Sequence, residues 1–81
     1  PDPTSRLILV ARGFMNMANP AKTEYALSLK VWDCAGIHSP DQRTRVLKKI
    51  SQKCEGYWVE QRKGRTSVLH IGQNPNKITP P

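Results

Sequence analysis

The sequence predicts a small α+β domain of two layers, a mainly antiparallel four-stranded sheet with one helix on one face, in the order β-β-α-β-β. Three observations predict it. Apolar residues alternate with period two over residues 24–33, a helix with signals at both ends occupies residues 40–53, and two β-rich runs over residues 57–71 flank a basic turn with a glycine. At 81 residues the chain forms one domain. A chain of this size hides only about 60–65% of its unfolded surface, which leaves a thin core and no room for an enclosed catalytic cavity. The domain is expected over residues 5–72, with proline-containing tails at 1–4 and 73–81. A sequence that starts at Pro1 is expected to be processed or excised from something longer.

The first strand is assigned to residues 7–11, where Leu7, Ile8, Leu9, Val10 and Ala11 form an unbroken aliphatic run stopped by Gly13. Residues 13–23 follow as a loop, since Met15, Asn16, Met17, Asn19 and Pro20 carry little periodicity. The second strand covers residues 24–33, with Tyr25, Leu27, Leu29 and Val31 on one face and Ala26, Ser28, Lys30 and Trp32 on the other. The helix starts at the N-cap Ser39 and Pro40, has Asp41 in its first turn and Gln42 completing a capping box, and stops before Gly56. Val46, Leu47, Ile50 and Cys54 share an arc of roughly 100° and form its buried stripe. The last two strands, residues 57–62 and 66–71, make a hairpin around Arg62, Lys63, Gly64 and Arg65. Tyr57, Val59, Leu69 and Ile71 face the core, and Trp58, Glu60, Arg62, Val68 and His70 face away.

Charge points to the partner. There are 13 Lys and Arg against 6 Asp and Glu, a net charge of +7, and eight of the bases with only two acids lie over residues 43–65. Folding that cluster onto one surface costs self-repulsion, which a polyanion relieves by neutralisation and counterion release. On the helix, Arg45, Lys49 and Lys53 recur every fourth residue as a basic ridge, with Lys48 further round. On the hairpin, Arg62, Lys63 and Arg65 concentrate three cations on one turn. The bland alternative is a basic face that keeps a small protein in solution. Trp32, beside Lys30, and Trp58, near Arg62, stand on the less buried strand faces, where tryptophan either stacks single-stranded bases or supplies core area.

Catalytic and metal chemistry find little support. Cys34 and Cys54 lack a CxxC partner, and His38 and His70 lack zinc-ligand spacing, so no metal or cofactor is expected. The cysteines read as two reduced thiols of an intracellular protein, Cys34 at a strand end and Cys54 at a helix end. Asp33, His38 and Asp41 cluster near the helix start, which keeps a small nuclease subunit as a remote alternative. The longest apolar run is five residues, far below the roughly 20 that span a bilayer, so no membrane partner is expected.

The second half, a strand near residues 26–31, a helix near 40–53 and a hairpin ending Val68-Leu69-His70-Ile71-Gly72 before an Asn-containing tail, resembles the C-terminal half of a CRM (YhbY-type) RNA-binding domain. The resemblance covers about 45 residues and has no counterpart of that family's N-terminal helices or GxxG loop. It carries over no site residue and moves the expected partner from DNA toward RNA. The resulting expectation is a non-catalytic module that binds RNA or single strands in preference to duplex DNA through Lys30, Trp32, Arg45, Lys48, Lys49, Lys53, Trp58, Arg62, Lys63 and Arg65. The alternative is a protein-interaction or ribosome-associated structural domain whose open strand edge pairs with a partner or a second copy of itself.

Overall fold

The computed structural model describes residues 1–64 and 66–75. The fold is α+β, in the order α1 (Pro3–Ala18), β1 (Glu24–Ala26), α2 (Leu29–Cys34), α3 (Pro40–Lys53), β2 (Tyr57–Glu60) and β3 (Val68–Ile71). The three strands form one antiparallel sheet in the order β1-β3-β2. Two of the expected strands are therefore corrected, and the described residues hold three helices where one was expected.

The run over residues 7–11 lies inside the 16-residue helix α1. Its buried residues are Thr4, Leu7, Ala11 and Met15, spaced three, four and four apart as one face of a helix requires. The helix start is built as a cap: Asp2 Oδ1 accepts the Ser5 backbone N–H at 2.9 Å, and Pro3 occupies the first turn where no intrahelical donor is needed. The chain before residue 5 is thus not a tail, since Asp2 caps and Thr4 is buried. Likewise the alternation over residues 24–33 ends after Ala26. Ser28 becomes the N-cap of α2, which buries Val31 and Trp32 side by side and leaves Leu29 exposed.

Helix α3 forms where its caps place it, with Ser39 Oγ accepting the Gln42 N–H at 3.3 Å and Val46 and Ile50 buried. The hairpin register also agrees with the alternation: Tyr57 opposes Ile71, Trp58 opposes His70, Val59 opposes Leu69 and Glu60 opposes Val68. The register of β1 sets Tyr25 beside Leu69 and Glu24 beside His70. The inner face therefore carries Tyr25, Tyr57, Val59 and Leu69, which meet Leu7, Ala11, Leu27, Val31, Trp32, Ala35, Ile37, Val46 and Ile50 from the helical layer. Val68 is buried too, although it points to the outer face. Past β3 the Gly72 N–H donates to the Gly56 carbonyl at 2.8 Å, and the expected tail beyond residue 75 lies outside the described residues.

Among the described residues no helix is long and apolar enough to cross a membrane. Ile37, wholly buried in the short connection between α2 and α3, should be as costly to truncate as a core residue of a regular element. Ile37→Ala is expected to lower stability by about 2–5 kcal/mol, measured as a shift in the denaturant midpoint with unchanged slope.

Candidate nucleic-acid interface

The geometry around α3 begins with the way the chain turns into it. Between Ala35, the C-cap of α2, and Ser39, the N-cap of α3, lie only Gly36, Ile37 and His38. Gly36 has φ of 74°, a left-handed conformation that a side chain opposes, and its N–H donates to the Asp33 carbonyl at 3.0 Å. The Ile37 N–H donates to the Trp32 carbonyl at 3.0 Å, which drops its side chain into the core. Arg43 closes the turn from the α3 side: its Nε donates to the Ile37 carbonyl at 3.1 Å, its Nη2 lies 3.7 Å from Asp33 Oδ1, and its guanidinium sits 5.9 Å from the Trp32 ring centroid. Arg43 thus ties the start of α3 to the turn and to two residues of α2.

The outer side of α3 faces solvent. Arg45, Lys48 and Lys53 are exposed and make no ion pair or side-chain hydrogen bond among the described residues. Lys49 differs, since its Nζ donates to Asp2 Oδ2 at 2.8 Å and ties α3 to the start of α1. The ridge expected from the sequence is thus partly neutralised. With Val46 and Ile50 turned inward, helical spacing places Arg45 and Lys48 on the far side, next to Gln52.

The hairpin divides in the same way. Arg62 is bound to two carboxylates, Glu60 and Glu24. Lys63 is exposed without a partner among the described residues, next to Gly64 at φ of 67°. Arg65 lies outside the described residues.

Of the two roles open to the tryptophans, Trp32 takes the core one: it stands on α2 and not on a strand, and it is 5% exposed within the core. Lys30 lies on α2 with its ammonium 5.5 Å from the Phe14 ring centroid, away from any strand tryptophan. Trp58 is half-buried, and its ring already stacks on His70, with centroids 3.9 Å apart and planes 8° from parallel. The other aromatics, Phe14, Tyr25 and Tyr57, are partly buried and pack against the core.

Around the start of α3, His38 Nδ1 and Asp33 Oδ1 are 3.2 Å apart on the surface, while Asp41 makes no contact with the pair. Among the described residues no cluster of His, Cys, Asp or Glu could hold a metal ion. Cys34 ends a helix instead of a strand and is exposed; Cys54, at the α3 C-cap, is half-buried, and both are thiols. A shallow cleft of about 310 Å³ is lined by Ser51, Cys54, Glu55, Tyr57, Trp58 and Asn74, among others.

Among the described residues four groups have shifted proton affinities, all through surface pairs. The Lys49 ammonium, then the Ser5 amide, hold the Asp2 carboxyl far below the ordinary range, and Asp2 in turn raises Lys49. Arg62, then His70, lower Glu60, and Glu60 raises Arg62. A carboxylate with a depressed folded pKa contributes stability above its unfolded value, near 4, and loses it as pH falls through the folded value. Asp2→Asn keeps a capping side chain and removes the acid linkage. Its thermal midpoint should therefore depend less on pH between about 2 and 5 than that of the wild-type protein, as followed by circular dichroism.

Comparison of the chain with protein-family models, with curated proteins and with solved structures finds no match in any of the three.

Proposed function

We propose that the protein is a non-catalytic nucleic-acid-binding module and that duplex DNA is the form it fits best, with α3 in the major groove and Lys63 at the hairpin turn against the backbone. The observation that carries the reading is the succession of α2 and α3 across a short glycine-containing turn, with α3 offering Arg45 and Lys48, unpaired among the described residues, on its outer side. A helix, a short turn with glycine and a second helix are the order of elements in a helix-turn-helix, whose second helix enters the major groove. An α-helix fits that groove, and arginine, lysine and glutamine have matching donors for guanine and adenine edges there. Lys63 at the hairpin tip supplies a backbone contact of the kind that positions a protein without reading sequence.

This reading moves the preference from single strands to duplex. Single-strand recognition relies on open aromatic faces; Trp32 has none, and one face of Trp58 is occupied by His70. RNA, which the partial CRM resemblance favours, remains a comparison ligand. Four of the six acids are engaged with basic side chains, Asp2, Glu24, Asp33 and Glu60, which leaves the outer side of α3 weakly opposed in charge.

The test is fluorescence anisotropy with labelled duplex DNA, single-stranded DNA and single-stranded RNA at 50 and 200 mM salt, concentrations chosen for about a 10³-fold or larger contrast if six or more phosphates are neutralised. Duplex DNA is expected to bind most tightly. Arg45→Ala and Lys48→Ala are each expected to weaken binding by about 1–3 kcal/mol where they reach base edges, whereas Lys63→Ala weakens all duplexes alike and lowers the salt slope by about 1. Trp58→Ala is expected to lower thermal stability and leave the affinity for single strands unchanged. Tighter binding of single-stranded RNA than of duplex DNA would return the module to the single-strand class, and salt-insensitive association with none of the three would redirect it to protein partners.

A further inference from the structure

The two described hairpin cations, Arg62 and Lys63, are neighbours in sequence and opposites in surroundings. Arg62 Nε donates to Glu60 Oε2 at 3.0 Å, and its Nη2 donates to Glu60 Oε1 and to Glu24 Oε2, each at 3.2 Å. Glu60 Oε1 also lies 2.8 Å from Nε2 of His70, whose side chain is 15% exposed beneath Trp58. Glu24 belongs to β1, Glu60 and Trp58 to β2 and His70 to β3, and Glu24, His70 and Trp58 occupy one row across the sheet. One guanidinium, one imidazole, one indole and two carboxylates therefore span all three strands on the outer face, ending where the loop leaves β2.

We propose that Arg62 is a positioning residue, which fixes the chain where it leaves β2, at the loop base, so that Lys63 is held out toward the nucleic acid, and that it makes no phosphate contact itself. The inference rests on the nucleic-acid reading above. A phosphate that recruited Arg62 would break a two-pronged bond to Glu60 and the bond to Glu24, and would enter a site where two carboxylates face one guanidinium. The fork geometry is what arginine provides and lysine lacks. Removing an acid next to an anionic ligand ordinarily tightens binding; here it frees the loop base and weakens binding.

The experiment compares Arg62→Lys, Arg62→Ala, Glu24→Gln, Glu60→Gln and Lys63→Ala in the whole 81-residue chain. Affinity for one labelled duplex is read at several salt concentrations, and amide hydrogen exchange is read at Lys63 and Gly64 in the free protein. A positioning Arg62 predicts that Arg62→Lys and Glu60→Gln weaken binding by about 5–10-fold through lost preorganisation, with the wild-type salt slope retained. Glu24→Gln weakens it less, and Lys63→Ala alone makes the slope shallower by about 1. Exchange at Lys63 and Gly64 rises in Arg62→Lys and Glu60→Gln. A contact role predicts the reverse pattern, in which Arg62→Lys binds like wild type, Glu60→Gln binds more tightly and Arg62→Ala lowers the slope; that result would overturn the proposal. If the wild-type protein binds no nucleic acid, the functional reading fails, while unchanged exchange in Arg62→Lys and Glu60→Gln refutes the positioning role independently.

Discussion

The left-handed turn at Gly36 is the constraint on which the arrangement depends. It leaves only three residues between the C-cap of α2 and the N-cap of α3, and Ile37 among them is turned inward. Ile37 meets residues from α1, α2, α3 and the sheet in one core, so the turn is a packing element and not a spacer. Arg43 then bonds the carbonyl of that buried residue from the helix it introduces. A connection bonded at both ends in this way fixes the direction of α3, and with it the direction in which Arg45 and Lys48 project.

Surface charge is organised by the same economy. Lys49 and Arg62 hold elements together, across 47 and 38 residues of sequence to Asp2 and Glu24. Arg45, Lys48, Lys53 and Lys63 carry charge that no described group answers. Exposed ion pairs of this kind contribute little stability, so their value lies in geometry: one orients α3 against α1, the other joins the three strands at the hairpin base. The net positive charge is thereby sorted into side chains that build the surface and side chains that remain open on it.

What could be read from the sequence was local. Helix α3 has a cap, a proline, a first-turn acid and a terminal glycine within its own span, and the hairpin has a glycine turn between alternating strands, so both were legible. Helix α1 was hidden by the run from Leu7 to Ala11, which satisfies a buried strand as well as a helix. The spacing of Thr4, Leu7, Ala11 and Met15, and the Asp2-Pro3 start that repeats the Ser39-Pro40 signature, were the signals that separate the two. Helix α2 was hidden because Tyr25, Leu27, Leu29 and Val31 alternate although they belong to a strand, a connection and a helix. The unpaired cations of the site were named from charge alone; the partners that remove Lys49 and Arg62 from that set are distant in sequence and emerge only with the tertiary structure. Trp32 moved from the sheet to the core for the same reason, since its facing depended on which element held it.

The sheet order has a consequence for how the molecule is made. β1 is paired on one side only, by β3, the last of the described strands. β2 and β3 meet across 8–14 residues of sequence, from Glu60–Val68 to Tyr57–Ile71, whereas β1 meets β3 across 42–46, from Ala26–Val68 to Glu24–His70. The hairpin is therefore the local part of the sheet and the docking of β1 its long-range step, with the larger loop to close. Until residues 68–71 have left the ribosome, residues 24–26 lack the strand they bond in the finished fold, and a nascent molecule carries an open strand edge of the kind that invites pairing with another chain.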